Sequence, residues 1–381
     1  MPAFSCHAPA GERIALGQMC RAVSSRELND PHLLGWTPFG SGTMALAATL
    51  CFLRARHPEA TSVILPAYSC PDTAAAARYA GMDVEFLDLA PGQVGIDPTA
   101  AGKALGQSGK TGVIVDLFGT QSDLSAIGKI TRQSGAILIH DRAQSLAGPG
   151  IGIADSPDFV IVSRGRGKPA TLLGGGAVWA RDHESFSIFS AATFPLEGWN
   201  MSYAALRAQL YNCAIHPLPY NAITRLPFLH LGETRLKDLQ AITRLPREWL
   251  VHSARQLSQQ LADIEGRKSR TRALAAIVHD LSFAIPADAL QTADREGLNR
   301  LPVLCRDAQQ AAWLANAGKR LGISTMYAKT LPEFLGMSTA EASIRFPEAW
   351  RFARTLVTIP THTRFDASAR SYLRRLLQDA R

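Results

Sequence analysis

Between Ser62 and Ala180 the chain alternates short apolar runs with helix-length segments, and this alternation limits its fold more than any other feature. "SVILPAY" (Ser62–Tyr68) is a β-branched run ended by Pro66. "DTAAAARYAG" (Asp72–Gly81) is an alanine-rich helix stopped by glycine. "DVEFLDL" (Asp83–Leu89) alternates as a strand does, and "TGVIVDLFG" (Thr111–Gly119) is apolar throughout its middle. A helix over Asp123–Gly135 follows, then strands "AILIHD" (Ala136–Asp141), "DFVIVS" (Asp158–Ser163) and "GGAVWA" (Gly175–Ala180). Upstream, "GTMALAATLCFLRAR" (Gly42–Arg56) carries apolar residues at helical spacing. Apolar strands separated by helices predict a mostly parallel sheet covered on both faces.

After residue 200 the pattern changes to arginine-rich helices. They are expected in "YAALRAQLYNCAI", in "LKDLQAI" (Leu236–Ile242) and in one long stretch from Arg247 to Ile277. Strands at Arg300–Cys305 and Thr355–His362 and a final helix capped by Asp366 or Ser368 complete a smaller α+β unit. "AITRLP" occurs twice, which we read as two similar helix ends and not as a repeat architecture. The expected division is an N-terminal segment over 1–30, a large domain over 31–215, a connecting helical segment over 216–255 and a small domain over 256–381. A chain of 381 residues suits two domains.

The net charge of +8 is uneven: residues 1–180 carry 14 Lys/Arg and 14 Asp/Glu, and residues 181–381 carry 26 and 18. The extra cations are dispersed singly, as on a solvated helix face, so no nucleic-acid partner is expected. No apolar run reaches membrane-spanning length, and no apolar leader follows a basic start, so neither membrane nor export is expected. The six cysteines form no CxxC or Cys/His cluster, which predicts reduced thiols, a cytoplasmic location and no metal site.

Open α/β sheets bind ligands at the carboxyl ends of their strands. Ser41, Gly42 and Thr43 open the first long helix, Asp141 and Ser163 end strands, and Lys168 follows Ser163 on one loop. Each has a plain alternative: a helix cap, a turn residue, a solvated cation. Together they match the needs of pyridoxal 5′-phosphate. A helix start binds phosphate, a buried carboxylate holds a ring nitrogen protonated, and a lysine amine forms a Schiff base with an aldehyde.

Several segments resemble those of the DegT/StrS-type sugar aminotransferases, within the fold-type I (aspartate aminotransferase-like) pyridoxal phosphate enzymes. They are "SGTMAL", "VILPAY…TAAAARYAGMDVEFLDL", "VIVDLFGTQSDLSAI", "ILIHDRAQSLAG", "SRGRGKPATLLGGGAV" and "VTIPTHTRFDASARSYL". The resemblance runs from about Gly35 to the C-terminus. It implies a fold-type I large domain with a mostly parallel central sheet and a smaller C-terminal α+β domain. It makes Lys168 the Schiff-base lysine and proton carrier, and Asp141 the partner of the pyridine nitrogen. Ser41, Gly42, Thr43 and Ser163 would hold the phosphate, and Gln144 would lie beside the ring or its 3-oxygen. Arg164 and Arg166 either shape the loop or meet an acidic substrate.

Three positions depart from the family pattern. Cys70 stands where the family places an aromatic ring over the cofactor, with Tyr68 two residues earlier. Gly174 occupies a position that is commonly acidic. Glu233, two residues before Arg235, replaces an asparagine that usually reaches the neighbouring subunit's phosphate. The chain thus reads as a divergent member.

The activity implied is ping-pong transfer of an amino group from an amino acid, glutamate being the expected donor, to a keto acceptor such as a keto-sugar. A homodimer with shared active sites is implied too. Elimination or carbon–carbon bond chemistry on a non-sugar substrate uses the same cofactor parts, and a degenerate cofactor-binding regulator is a third class. Pyridoxamine-dependent dehydration is disfavoured by the presence of Lys168.

Overall fold

The computed structural model describes residues 6–9, 11–106, 110–122, 124–149, 157–224 and 234–380. A seven-stranded sheet is built from β1 (Trp36–Phe39), β2 (Ser62–Pro66), β3 (Asp83–Leu87), β4 (Thr111–Val115), β5 (Ile137–Asp141), β6 (Phe159–Ser163) and β7 (Gly176–Ala180). Their order is β1-β7-β6-β5-β4-β2-β3. β7 runs antiparallel to both its neighbours, and the other pairs are parallel. β1, β2, β4, β5 and β6 therefore end on one edge of the sheet. That edge is where a ligand meets loops and helix starts.

Burial follows the sequence pattern. β4 and β6, apolar throughout, are buried along their whole length. β3 lies at the sheet edge and keeps its polar residues partly exposed, which is why it alternates. The helix Gly42–Arg56 packs against β1, β6 and β7 and buries Ala45 to Leu50. Its small side chains let it lie close to the strands.

β1 carries no strand signal of its own, because it is four residues long and contains Pro38. Proline is tolerated here because β1 is an edge strand, where one row of amides has no strand partner. The outer side of β1 is instead met by the segment following Leu236–Ile242. Gly40 N donates to Thr243 O (2.9 Å) and Leu245 N donates to Pro38 O (3.0 Å). The expected helix over Leu236–Ile242 does not form; the stretch is non-helical as it leads into this pairing, so tertiary context outweighs local periodicity.

The long helix expected from Arg247 is two helices, Glu248–Ala262 and Ile264–Asp280. They break at Asp263, whose backbone leaves helical geometry (φ −104°, ψ 21°) and whose carboxylate pairs with Arg270 at 2.8 Å. The first helix buries Trp249 and Leu250 with Trp36 and Val162 under the large sheet. The second belongs to a separate core with Val303, Leu314, Phe365 and Leu373. That core surrounds β8 (Arg300–Leu304) and β9 (Leu356–Pro360), an antiparallel pair. The final helix, Ala367–Asp379, is capped by Asp366, whose carboxylate accepts from Ala369 N (2.8 Å).

The N-terminal segment bridges the two cores. His7 N donates to Arg320 O (2.8 Å), His362 Nε2 meets Ala8 O (2.9 Å), and Asn212 Oδ1 accepts from Ile14 N (2.9 Å). The helix Met201–Ala214 leaves Tyr203, Leu206 and Leu210 more than half exposed along one face.

Candidate active site

Each wall of the site comes from the end of a strand. After β1 the chain turns at Gly40 and Ser41 into the helix Gly42–Arg56. Ser41 is its N-cap: its hydroxyl accepts from Met44 N (3.1 Å), and that side chain is committed to the helix. The first-turn amides have no helical acceptor, so they are available to an anion.

Gly42 permits a close approach between two walls of the site. A Cβ there would lie 2.7 Å from Ser163 Cβ and 3.0 Å from its hydroxyl. Only glycine lets the helix start touch the end of β6. Gly176 repeats the device from β7, since a Cβ on it would lie 2.5 Å from Gly42 N.

Beyond Ser163 the loop to β7 carries Lys168. It is held from both sides of the lysine. Thr171 Oγ1 donates to Arg164 O and Gly165 O (3.1 and 2.9 Å), and Leu172 N and Gly174 N both donate to Arg164 O (2.9 and 3.1 Å). The loop is strained, because Ala170 (φ 52°) and Leu173 (φ 62°) take left-handed backbone. Gly175 must be glycine, with φ 85° and the Trp249 ring 2.3 Å from where a Cβ would be. A Cβ on Gly174 would meet nothing within 4 Å, so its departure from the acidic pattern leaves open space.

Asp141 ends β5 and is 7% exposed. Its Oδ1 accepts from Ala143 N (2.9 Å). Burial raises its pKa, against the lowering effect of the Ala143 amide and the Lys168 charge. A buried carboxylate in that state gains from a cationic partner.

These groups share one cavity. It is lined by Gly42, Thr43, Cys70, Asp141, Gln144, Ser163 and Lys168 together with Leu46, Asp72, Thr73, Val115 and Ala143. The first seven are the residues expected from the sequence, and the last five carry no such signal. Ser41 stands behind the lining as the cap. Cys70 is a wall residue whose thiol is pushed up to about 11 by burial, with the Lys168 charge opposing. No aromatic ring lines this cavity among the described residues. Tyr68 is fully buried behind it, packed edge-on against Tyr327 with centroids 5.5 Å apart.

The two arginines of the lysine loop are placed differently. Arg164 is fully buried and faces away from the cavity, donating to Ser253 Oγ (2.9 Å) and Ala147 O (2.5 Å). Burial lowers its pKa to about 10. Of the two roles open to it, this geometry suits shaping the loop. Arg166 is exposed and opens on a separate cavity of about 540 Å³ with Arg207, Tyr211 and Tyr220. It is absent from the lining around Asp141. Glu233 lies outside the described residues, and Arg235 is exposed.

One buried group went unnoticed in the sequence. Asp116, at the end of β4, is fully buried and meets His140 Nε2 (2.9 Å), Arg142 Nε (3.3 Å) and Ser145 Oγ (3.1 Å). Burial pushes its carboxyl up, but the neighbouring His140 and Arg142 charges outweigh that and hold it below the ordinary value. Asp116 thereby fixes the residues on both sides of Asp141. Its signal was visible, since "VIVD" ends a strand as "LIHD" does.

The cavity suits pyridoxal 5′-phosphate. The helix start and Ser163, kept close by Gly42, form an anion cradle that a Cβ would fill. Asp141 and Lys168, to which the resemblance gives the ring nitrogen and the aldehyde carbon, both line it.

The comparisons with known proteins agree. Residues 36–373 match the model of the DegT/DnrJ/EryC1/StrS aminotransferase family. Protein MosB of Rhizobium meliloti is 30% identical over 153 residues, which is 36% of this chain and 30% of that protein. The matched stretch thus spans under a third of that relative's length. Among solved structures, PseC of Helicobacter pylori, an aminotransferase involved in the biosynthesis of pseudoaminic acid, is 15% identical with a TM-score of 0.67, covering 99% of this chain and 98% of that one. The PLP-form of the putative sugar aminotransferase Spr1654 from Streptococcus pneumoniae is 14% identical with a TM-score of 0.63, covering 100% and 98%. At these identities the structures speak to the fold. With the family model spanning both cores, the chain belongs to the DegT/DnrJ/EryC1/StrS aminotransferase family.

Proposed function

We propose that this chain is a pyridoxal phosphate-dependent aminotransferase that takes an amino group from an amino acid, glutamate in our reading, and passes it to a keto acceptor, a keto-sugar in first place. The observation that carries it is the convergence of Lys168, Asp141, Ser163 and Gly42 on one cavity at the carboxyl edge of the sheet. The bound cofactor supplies an electron sink for a carbanion next to nitrogen. The residues of the chain do the rest. In this reading Lys168 Nζ takes and returns the proton at the reacting carbon, a role supported by its place in the same lining as Asp141 and Ser163. Asp141 holds the proton on the ring nitrogen by opposite charge in a buried setting. Ser163 and the amides of Gly42 and Thr43 grip the phosphate and fix the ring's position. Val115 and Cys70 help wall the cavity against water.

The sugar acceptor is supported by two of the neighbours, one a putative sugar aminotransferase and one an aminotransferase involved in the biosynthesis of pseudoaminic acid. A homodimer is supported by the exposed stripe of Tyr203, Leu206 and Leu210, a face that a second copy would cover.

The test is a visible spectrum of the purified protein before and after L-glutamate. A cofactor band that glutamate bleaches, with borohydride fixing the cofactor to Lys168, supports the reading. A band that no amino donor changes removes the transaminase reading and leaves the cofactor assignment standing. Lys168→Ala turning over at the normal rate removes the lysine assignment.

A further inference from the structure

With no aromatic ring in its lining, the cavity needs another means of holding a flat cofactor in place. The structure offers one from a segment far along the chain. Ser324 pairs with Thr358 next to β9, and Leu331 N donates to Ala67 O (2.8 Å) beyond the end of β2. The chain between them crosses from the small core to the large one and carries Tyr327 behind the cavity.

Tyr327 is 4% exposed, and each of its polar groups has a use. Its backbone N donates to Tyr68 Oη (3.3 Å), so the buried Tyr68 holds Tyr327 and does not face the cofactor. Its hydroxyl accepts from Gln144 Nε2 (3.3 Å). Gln144 and Cys70 are both wall residues of the cofactor cavity. Gln144 is pinned at its other end too, where Oε1 accepts from Phe118 N (3.1 Å). Phe118 sits in left-handed backbone (φ 61°), a strain that persists because its surroundings hold it there. Its carbonyl accepts from Asn299 N (2.9 Å), and Asn299 Nδ2 donates to Gly167 O (3.3 Å) on the lysine loop.

We propose that Tyr327 is a positioning residue of the cofactor pocket. Its hydroxyl orients the Gln144 carboxamide on the wall of the cofactor pocket, and this polar brace does by hydrogen bonding what a stacking ring does by contact. The proposal rests on the pyridoxal phosphate reading. It also links the small core to the cofactor at two points, Tyr327 and Asn299, neither of which lines the cavity around Asp141.

The experiment uses the full chain and pyridoxal phosphate as the probe. Tyr327→Phe keeps the ring and removes the hydroxyl. The expected result is a cofactor dissociation constant raised roughly 3- to 10-fold, the worth of a hydrogen bond, with a shifted absorption maximum of the bound cofactor. The melting temperature of the cofactor-free protein should change little. Gln144→Met should reproduce the effect, and the double variant should lose less than the sum, since the two side chains act as one unit. A Tyr327→Phe protein with unchanged affinity and spectrum overturns the proposal. So does a drop in cofactor-free melting temperature with affinity unchanged, which marks a merely structural role. If Tyr327→Phe does not fold, Gln144→Met decides alone by the same two readouts. Wild-type protein that binds no pyridoxal phosphate overturns the cofactor reading, and the proposal with it.

Discussion

Replacing Gly42 with alanine tests the phosphate cradle where the helix start meets the end of β6. The backbone there is not left-handed, so alanine meets no conformational penalty, and space alone decides the outcome. The new methyl would lie 2.7 Å from Ser163 Cβ. Carbon atoms in contact sit at about 3.5–4.0 Å. One of the two elements must therefore move by roughly 1 Å. Neither is a flexible side-chain end: one is a helix start and the other is the last residue of a buried strand.

Overpacking of this kind costs about 1–3 kcal/mol. The better helix propensity of alanine returns up to about 1 kcal/mol. The net loss, about 1–2 kcal/mol, lowers the melting temperature of the cofactor-free protein by roughly 1–3 °C. The cofactor should suffer more. Moving Ser163 by that distance removes a hydrogen bond to a charged group, about 1.5–3 kcal/mol, which raises the dissociation constant roughly ten- to a hundredfold. Thermal melts with and without pyridoxal phosphate, and a fluorescence titration, measure both effects. Unchanged melting and unchanged affinity would refute the close-approach reasoning.

Asp141→Asn should separate stability from function. The folded-state pKa of Asp141 lies above its unfolded value because of burial, so ionising it costs stability as pH rises through the folded value. The cofactor-free variant should therefore melt higher than wild type at pH 8 and equally at low pH, where both side chains are neutral, while its cofactor affinity and turnover fall. His362, lowered to about 3, and His252, lowered to about 4, are buried as neutral rings, and burial is the leading cause for each. Stability should be fully present above their unfolded pKa near 6.5 and lost progressively as pH falls towards 3. Urea unfolding at pH 8, 6 and 4 reads this directly, and His362→Gln should flatten the slope. Arg164→Met strands Ala147 O and Ser253 Oγ in the interior and should cost about 1–3 kcal/mol per stranded group, with or without cofactor. Arg166→Gln, on an exposed side chain, should stay within about 0.5 kcal/mol. Equal effects from these two variants, by thermal melts, would contradict their placement.

The sequence by itself determined the sheet and the edge where the site lies. Strands buried on both faces must be apolar throughout, so β4, β5 and β6 announce themselves. A polar residue closing such a run stands at the carboxyl end, as Asp141 and Ser163 do. The helix start at Ser41–Thr43 and the spacing from Ser163 to Lys168 were legible for the same local reason. Tertiary structure decided what depends on residues distant in the chain. β1 is a strand only because β7 and the Thr243–Leu245 segment lie beside it, and the same pairing accompanies the non-helical course of Leu236–Ile242 despite its helical period. Arg164 and Arg166 look alike in sequence, yet one is swallowed by the core around Ser253 and the other faces solvent. Tyr327 reaches Gln144 across 183 residues of chain. No periodicity or motif encodes such a contact, because it arises where the small core packs against the large one.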